Sequence, residues 1–397
     1  MVFAYYPNME SIYFDWAATA PIHPELPEII SKSLLGFKGN PSSIHSEGKI
    51  ARMQINSSRN ICANLLKVKP EQLIFTSGGT ESNSIILSSL FLKKPGLHLI
   101  LSSIEHPSIY EYSSNLKSFG FEIDFLKASS NGIIDPESIN KLLKPNTGFI
   151  SIMTVNNETG AIQPIDDIVM QIRNFEKNNS RRIHIHTDAV QALGKIPFKP
   201  GLLNIDSASF SAHKIGGPKG VGMLFLQKPI AVLSSGGGQE FSIRSGTENV
   251  SGITAFSKAM ELSLEKLEKN LEHAENLQEL LIKELSDFKG IKFLFDKNSS
   301  ENLLFSPYIT SLTVTPVPGE VLVRILNDKG IQISTGSACS SRNRKKQIRV
   351  LLSSGVKEKD AAGSIRISTG WTSTEDEIKS FCSILKKSLT ELQKYHT

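Results

Sequence analysis

The chain has 397 residues, enough for two domains and for a sizeable core that needs no disulfide or metal staple. Hydrophobic residues make up 39% and charged residues 21%, which fits a globular protein and excludes a disordered one. The formal net charge of +5 is too small at this size to imply nucleic acid, and no apolar stretch approaches the ~18 residues needed to cross a bilayer.

From about residue 60 to 230 strand-like and helix-like segments alternate. Gln72 to Thr76 is a short apolar run that stops at Ser-Gly-Gly, and Ser82 to Leu92 has helical spacing. His98 to Leu101 reads as a strand, Ile109 to Phe119 as a helix, and Phe121 to Leu126 as a strand. A short helix over Glu137 to Leu143 precedes a buried strand over Thr147 to Val155. Ile165 to Phe175 reads as a helix. Ile183 to Thr187, Ser207 to Phe210 and Met223 to Leu226 complete the strands. This order predicts an α/β domain with a largely parallel sheet, with ligands bound beyond the carboxyl ends of the strands. Beyond residue 252 the apolar residues Phe256, Met260, Leu264, Leu267, Leu271, Leu281, Leu285 and Phe288 predict one long amphipathic helix. It leads to a smaller C-terminal domain that ends in a helix near Glu375 to Leu392.

Five segments carry chemistry. Phe75-Thr76-Ser77-Gly78-Gly79-Thr80-Glu81-Ser82 follows a strand and opens a helix, where glycines and free N–H groups favour a phosphate. It is neither a G-x-x-x-x-G-K-[ST] loop nor G-x-G-x-x-G. His184, His186 and Asp188 alternate along one strand and so share a face. One reading is a metal site of the H-x-H-x-D-H type, although that pattern needs a histidine where this chain has Ala189; the other is a strand-end carboxylate that keeps a pyridine nitrogen protonated. Ser209-Phe210-Ser211-Ala212-His213-Lys214 runs into Gly216-Gly217-Pro218, a constrained turn suited to a Schiff-base lysine. Gly236-Gly237-Gly238-Gln239-Glu240 followed by Arg244-Ser245-Gly246-Thr247-Glu248-Asn249 suits an anion or a subunit contact. The fifth, Ser334 to Ser341, surrounds Cys339 with small residues. Three cysteines make no disulfide scaffold and indicate a reducing compartment. Cys62 and Cys382 lie in helical apolar patterns and read as core residues.

Together these segments resemble the pyridoxal-phosphate cysteine desulfurases, the NifS/IscS-like branch of the class V aminotransferases. FTSGGTES, EH, VNNETG, HTDAVQ, SFSAHK, GGGQE, RSGTEN, STGSACSS and SIRIS occur in the family's order. The likeness runs from Tyr13-Phe14-Asp15 through Gly39-Asn40-Pro41-Ser42-Ser43 to Ser364-Ile365-Arg366-Ile367-Ser368. It implies the aspartate aminotransferase-like fold (type I) of pyridoxal-phosphate enzymes. A large cofactor domain over 18–262 would carry a mainly parallel, seven-stranded type of sheet. A smaller α+β domain, 1–17 plus 263–397, would bear the catalytic cysteine loop at about 334–350.

The resemblance also implies roles. Lys214 would be the Schiff-base lysine, Asp188 the partner of the pyridine nitrogen and Gln191 that of the ring hydroxyl. His106 would stack on the ring and assist proton transfers. Gly79, Thr80, Ser211 and His213 would bind the phosphate, joined by Thr247 from the other subunit of a homodimer. Asn157 would contact the cofactor and, with Arg366, hold the substrate carboxylate. Cys339 would take the sulfur of L-cysteine as a persulfide, leaving L-alanine. No metal is implied. The 27 residues from Cys339 to Arg366 resemble the group with a long cysteine loop. The sulfur would then pass to an acceptor protein, an iron–sulfur scaffold or a tRNA-thiolation relay. The N-terminal MVFAYYPNME lacks the order of a secretory signal, so a cytoplasmic enzyme with no membrane or direct nucleic-acid partner is expected.

Two departures stand out. After Cys339 the sequence Arg342-Asn343-Arg344-Lys345-Lys346-Gln347-Ile348-Arg349 is more basic than relatives usually have. Those cations would lower the Cys339 pKa by on the order of one unit and attract an acidic face of an acceptor. Phe241-Ser242-Ile243 is also more apolar than usual. The alternatives are a selenocysteine lyase or other class V aminotransferase, a non-catalytic sulfur-relay subunit with the same fold, and a metal-dependent hydrolase built on His184, His186 and Asp188.

Overall fold

A computed structural model describes residues 11–179, 181–294, 304–315, 317–335 and 348–393. In chain order the strands are β1 (Ile12–Tyr13), β2 (Leu73–Thr76), β3 (His98–Ser102), β4 (Glu122–Leu126), β5 (Thr147–Ser151), β6 (His184–Asp188), β7 (Ser207–Ser211), β8 (Gly222–Leu226), β9 (Ile291–Phe293), β10 (Ile309–Val314), β11 (Ile331–Gln332) and β12 (Ser364–Ser368). The chain divides into two compact units. The larger holds Thr19–Asn156 and Ala161–Glu268, and the smaller Met1–Ala18, Asn157–Gly160 and Lys269–Thr397.

In the larger unit seven strands form one sheet in the order β2-β8-β7-β6-β5-β3-β4. Neighbouring strands are parallel, except that β8 runs antiparallel to both β2 and β7. The reversal follows from chain length: a parallel crossover takes a dozen or more residues, and 212–221 is too short for one. Both faces of the sheet are buried, and the side chains sort by the two-residue period of a strand. Phe75, Ile100, Ile150, Met223 and Phe225 belong to one core cluster. Ile74, Leu99, Leu101, Phe149, Leu224 and Leu226 belong to another. Helices Leu26–Gly36 and Ser46–Leu66 pack against helix Val250–Glu265. Cys62 is buried in the first of those clusters, and desolvation pushes its thiol up to about 12, which makes it inert packing.

In the smaller unit β9, β10 and β12 form an antiparallel sheet and β1 pairs in parallel with β11. Leu277, Leu281 and Leu285 share its core with Leu322, Leu326 and Phe381. Cys382 is buried there, its pKa likewise raised to about 12 by burial. The segment Asn157–Gly160 groups with this unit although the sequence reading includes it in the large domain. Gly160 O accepts from Ser306 N–H at 2.8 Å and Glu158 O from the Ser311 hydroxyl.

The single long helix expected beyond residue 252 is two, Val250–Glu265 and Leu267–Leu285. Lys266 leaves helical geometry at φ −103°, ψ 14°. The break falls where the apolar stripe changes core: Phe256 and Met260 pack in the larger unit, Leu277 and Leu281 in the smaller. No described helix is long and apolar enough to cross a membrane.

Candidate active site

In the larger unit the expected cofactor residues other than Thr247 sit at the carboxyl ends of strands or in the turns that follow. Gly79 and Thr80 open helix Gly79–Ser89 just after β2. Among the described residues the N–H groups of Gly79, Thr80 and Glu81 have no protein acceptor. A helix start of this kind presents donors and a positive dipole end to an anion. The approach is close: a Cβ on Gly79 would stand 2.5 Å from Val190 Cγ2, and one on Gly222 2.4 Å from Gly78 Cα. Ser211 ends β7, and the one-turn helix Ala212–Lys214 follows, with Lys214 half-buried. His213 Nδ1 lies 3.1 Å from Thr19 Oγ1. Burial, and after it Lys214, Lys195 and Lys219, lowers the His213 pKa to about 4, so the ring is neutral at pH 7.

Asp188 ends β6 and is buried. Its Oδ1 accepts from Val190 N–H at 3.0 Å and its Oδ2 from Asn83 Nδ2 at 2.8 Å. Because a carboxylate can only accept here, Asn83 Oδ1 must face the other way, towards His186 Nε2 at 3.0 Å. That nitrogen therefore carries a proton. His186 is neutral, its pKa pushed down to about 3 by burial and by His184, so its Nδ1 accepts from the Ser207 hydroxyl at 2.8 Å. Ser207 Oγ in turn accepts from His184 Nε2–H at 2.7 Å. Every donor in the chain His184–Ser207–His186–Asn83 points towards Asp188, so the carboxylate receives the end of an oriented hydrogen-bond chain. The same logic accounts for the metal alternative. Both His186 nitrogens and Nε2 of His184 are spent within the chain, and among the described residues no group of three His, Cys, Asp or Glu could hold a metal ion.

The network branches. Asn83 Nδ2 also reaches Ser108 Oγ at 2.9 Å, and Ser108 Oγ lies 2.8 Å from His106 Nδ1. Ser108 N–H donates to the same nitrogen at 3.2 Å. His106 Nδ1 is thus the acceptor, which puts the proton of the neutral ring on Nε2. Gln191 is buried, with its Oε1 accepting from Lys195 Nζ at 2.6 Å.

Thr247 is exposed in the segment that joins the Gly-rich stretch to helix Val250–Glu265. This segment is tied down by a buried bidentate pair, Arg59 Nη1–Glu240 Oε2 at 2.9 Å and Nη2–Oε1 at 2.7 Å. Phe75 N–H adds a bond to Glu240 Oε2 at 2.7 Å. Glu240, Phe241 and Ser242 all adopt positive φ (45°, 56° and 64°), a strained run of non-glycine residues that the buried pair holds in place. Arg59 also lies over the Phe75 and Phe241 rings, at 4.8 and 5.0 Å.

In the smaller unit Arg366 is buried in the middle of β12. Its Nη2 pairs with Asp15 Oδ1 at 2.7 Å and its Nη1 donates to Asn157 O at 2.9 Å. Asn157 therefore meets Arg366 through its backbone. Next to it Glu158 is buried, and desolvation raises its pKa to about 7 against the opposing pull of Arg349 and Arg366. Cys339 and positions 342–347 of the basic run lie outside the described residues. Sequence reasoning did not single out Asn83, Ser207, Ser108, Arg59 or Asp15 as site residues. Of these only Asn83 carries a local signal, four positions after Gly79 and so on the same helix face.

The donor set fits pyridoxal phosphate: a helix start with unpartnered N–H groups, a buried carboxylate that accepts from Val190 N–H and Asn83 Nδ2, and a lysine on the adjacent turn. The aminotransferase class-V family model matches residues 12–381, and the chain belongs to that family, whose cofactor is pyridoxal phosphate. Within the family it is similar to the cysteine desulfurases. It is 36% identical to cysteine desulfurase IscS of Dictyoglomus turgidum over 386 residues, covering 96% of this chain and 95% of that protein. A solved NifS-like protein superposes with a TM-score of 0.87 at 34% identity, over 96% of this chain and 99% of that one. SspA, solved in complex with cysteine, superposes with a TM-score of 0.75 at 29% identity, over 90% and 98%.

Proposed function

We propose that the protein is a pyridoxal-phosphate-dependent cysteine desulfurase that converts L-cysteine to L-alanine and leaves the sulfur as a persulfide on Cys339. The observation that carries this reading is Asp188, a buried carboxylate on which a chain of oriented donors converges. When bound, the cofactor supplies an aldehyde that captures amines and a protonated ring that stores electrons.

The residues then divide the work. Lys214 Nζ would hold the cofactor and, as a free amine, take the proton from the substrate Cα and return it. Asp188 would keep the proton on the ring nitrogen, and its hydrogen-bond chain fixes the carboxylate in place for that role. Gln191 meets the ring hydroxyl, and Lys195, already on its Oε1, orients its amide. His106 would lie against the ring and move protons through Nε2. The first N–H groups of helix Gly79–Ser89, with Thr80, Ser211 and His213, hold the phosphate, which Thr247 of a second copy completes. Arg366, its plane set by Asp15 and the Asn157 carbonyl, holds the substrate carboxylate together with Asn157. The Cys339 thiolate attacks the substrate sulfur. The C–S bond breaks, the S–S bond forms, and the substrate carbon takes up a proton to become the methyl of alanine.

We further propose a cytoplasmic homodimer that passes its sulfur to an acceptor protein, an iron–sulfur scaffold or a tRNA-thiolation relay. A dimer is supported by Ile22, Leu34, Leu35, Ile44, Ile50 and Met53, all exposed within one stretch of the larger unit. The test is Cys339→Ala. The variant keeps the visible absorption of the bound cofactor and loses alanine formation from L-cysteine. Undiminished alanine formation would contradict the role of Cys339 and favour a selenocysteine lyase or another class V reaction.

A further inference from the structure

We propose that the larger unit carries a second ligand site, for a small phosphorylated organic anion of the nucleotide type, at the amino ends of the sheet strands. A cavity of about 720 Å³ lies there, within the size range of small-molecule sites. It is lined by Leu97 before β3, Phe149 in β5, His184 at the start of β6 and Lys228 after the antiparallel β8. The cofactor residues stand at the other end of the same strands. Five residues at 3.3 Å each separate the two ends by about 16 Å.

The lining has two parts. Ile86, Leu90, Leu97, Phe149 and Ile230 supply an apolar wall. Lys93, Lys94, Arg181, Arg182 and Lys228 supply cations. Arg182 is accounted for: it forms a closed network with Arg173, Glu176 and Asp206, two cations against two carboxylates, at 2.5 to 3.3 Å. The one acidic residue lining the cavity, Asp206, is neutralised there. Lys93, Lys94, Arg181 and Lys228 have no carboxylate within ion-pair distance among the described residues. Arg181 is held at the rim by a bond from Nη1 to Asn146 O at 3.2 Å. Four unneutralised cations around an apolar hollow match an anion with an apolar body, and more than one phosphate would satisfy them.

His184 narrows the class. Its ring stacks on Phe149, with centroids 5.7 Å apart and planes 19° from parallel. It is neutral, because burial, with contributions from Arg173, Lys93 and Arg182 against Asp206, lowers its pKa to about 4. With its Nε2–H spent on Ser207, its Nδ1 is an acceptor that no described residue serves. An uncharged flat wall with a spare acceptor suits a planar heterocycle bearing an N–H group, as in a nucleoside polyphosphate.

The experiment titrates N-methylanthraniloyl-ATP into the cofactor-loaded enzyme and follows its fluorescence. The expected result is saturable binding that the double variant Lys93→Glu, Lys94→Glu weakens roughly tenfold or more. Charge reversal elsewhere, at exposed Lys387→Glu, leaves the affinity unchanged. Ala231→Trp fills the cavity without changing its charge and weakens binding as well. Tripolyphosphate, which lacks the flat body, competes at least tenfold less well than ATP. The absorption of the bound cofactor reports that each variant is folded. The proposal is overturned by an absence of saturable binding, by binding that the double variant leaves intact, by equal competition from tripolyphosphate, or by binding of polyglutamate in place of the nucleotide.

Discussion

Asp188 owes its character to residues that are remote in sequence. Ser207 is the link between the two histidines, and Ser207→Ala removes the hydroxyl that serves both. The variant leaves His186 Nδ1 without its donor and costs about 1–3 kcal/mol of stability, read from urea unfolding. The loss of support for Asp188 also lowers turnover roughly tenfold with the cofactor retained. A variant with unchanged stability and turnover would show that the chain is decorative. The same histidines set a pH dependence. His184 and His186 titrate at about 4 and about 3 in the fold, below the ordinary 6.5, so the unfolded chain binds more protons in between. Their contribution is complete above pH 6.5 and is lost as the pH falls towards 4. Glu158, raised from 4.5 to about 7, works in the opposite direction: its contribution is complete below 4.5 and lost as the pH rises through 7. His213, lowered to about 4, adds to these two, so the histidines outweigh Glu158, the unfolding midpoint falls between pH 6.5 and 4, and His186→Gln makes that slope shallower. An unchanged slope would remove the histidines as its cause. Little of this is legible in the sequence. The spacing places His184, His186 and Asp188 on one face, but their common partners Ser207 and Asn83 lie in other elements. Arg59 is similar: a buried arginine in helix Ser46–Leu66 makes sense only once Glu240, 181 positions away, is beside it.

At the scale of elements, helix Gly79–Ser89 is the most constrained. Gly79→Ala drives a Cβ into Val190 Cγ2, a stiff β-branched neighbour, and shifts the first turn of the helix off the proposed phosphate position. The affinity for pyridoxal phosphate falls tenfold or more in a fluorescence titration of the apo-protein, and Val190→Ala in the same chain restores part of it. A lone Gly79→Ala that binds normally would show that the phosphate does not sit there. The strands of the large sheet are legible because each is a short apolar run bounded by turn residues. The direction of β8 is not written in its composition, since Met223 to Leu226 reads like any buried strand. It is written in the shortness of 212–221. Helices Leu26–Gly36 and Ser46–Leu66 escape the reading because their burial does not follow hydrophobicity. Leu35, Ile44 and Met53 in this stretch are exposed, while Ser33, Ser58 and Arg59 are buried.

For the whole molecule, those exposed apolar residues connect the fold to assembly. Leu35→Glu with Ile44→Glu places two charges on the proposed dimer face. The expected result in sedimentation is a monomer with reduced cofactor occupancy, because in the proposed dimer Thr247 of one copy would complete the phosphate site of the other. A dimer that survives both charges would place the interface elsewhere. The end-to-end resemblance and the fold point to one reaction, and one measurement tests it most directly. Purified, cofactor-loaded protein is given L-cysteine without a reductant. Alanine is quantified, and the peptide containing Cys339 is examined by mass spectrometry. The account predicts one alanine per active site in the first turnover and one added sulfur on Cys339, with Cys62 and Cys382 unmodified. Absence of alanine, or alanine formed while Cys339 stays unmodified, would contradict it.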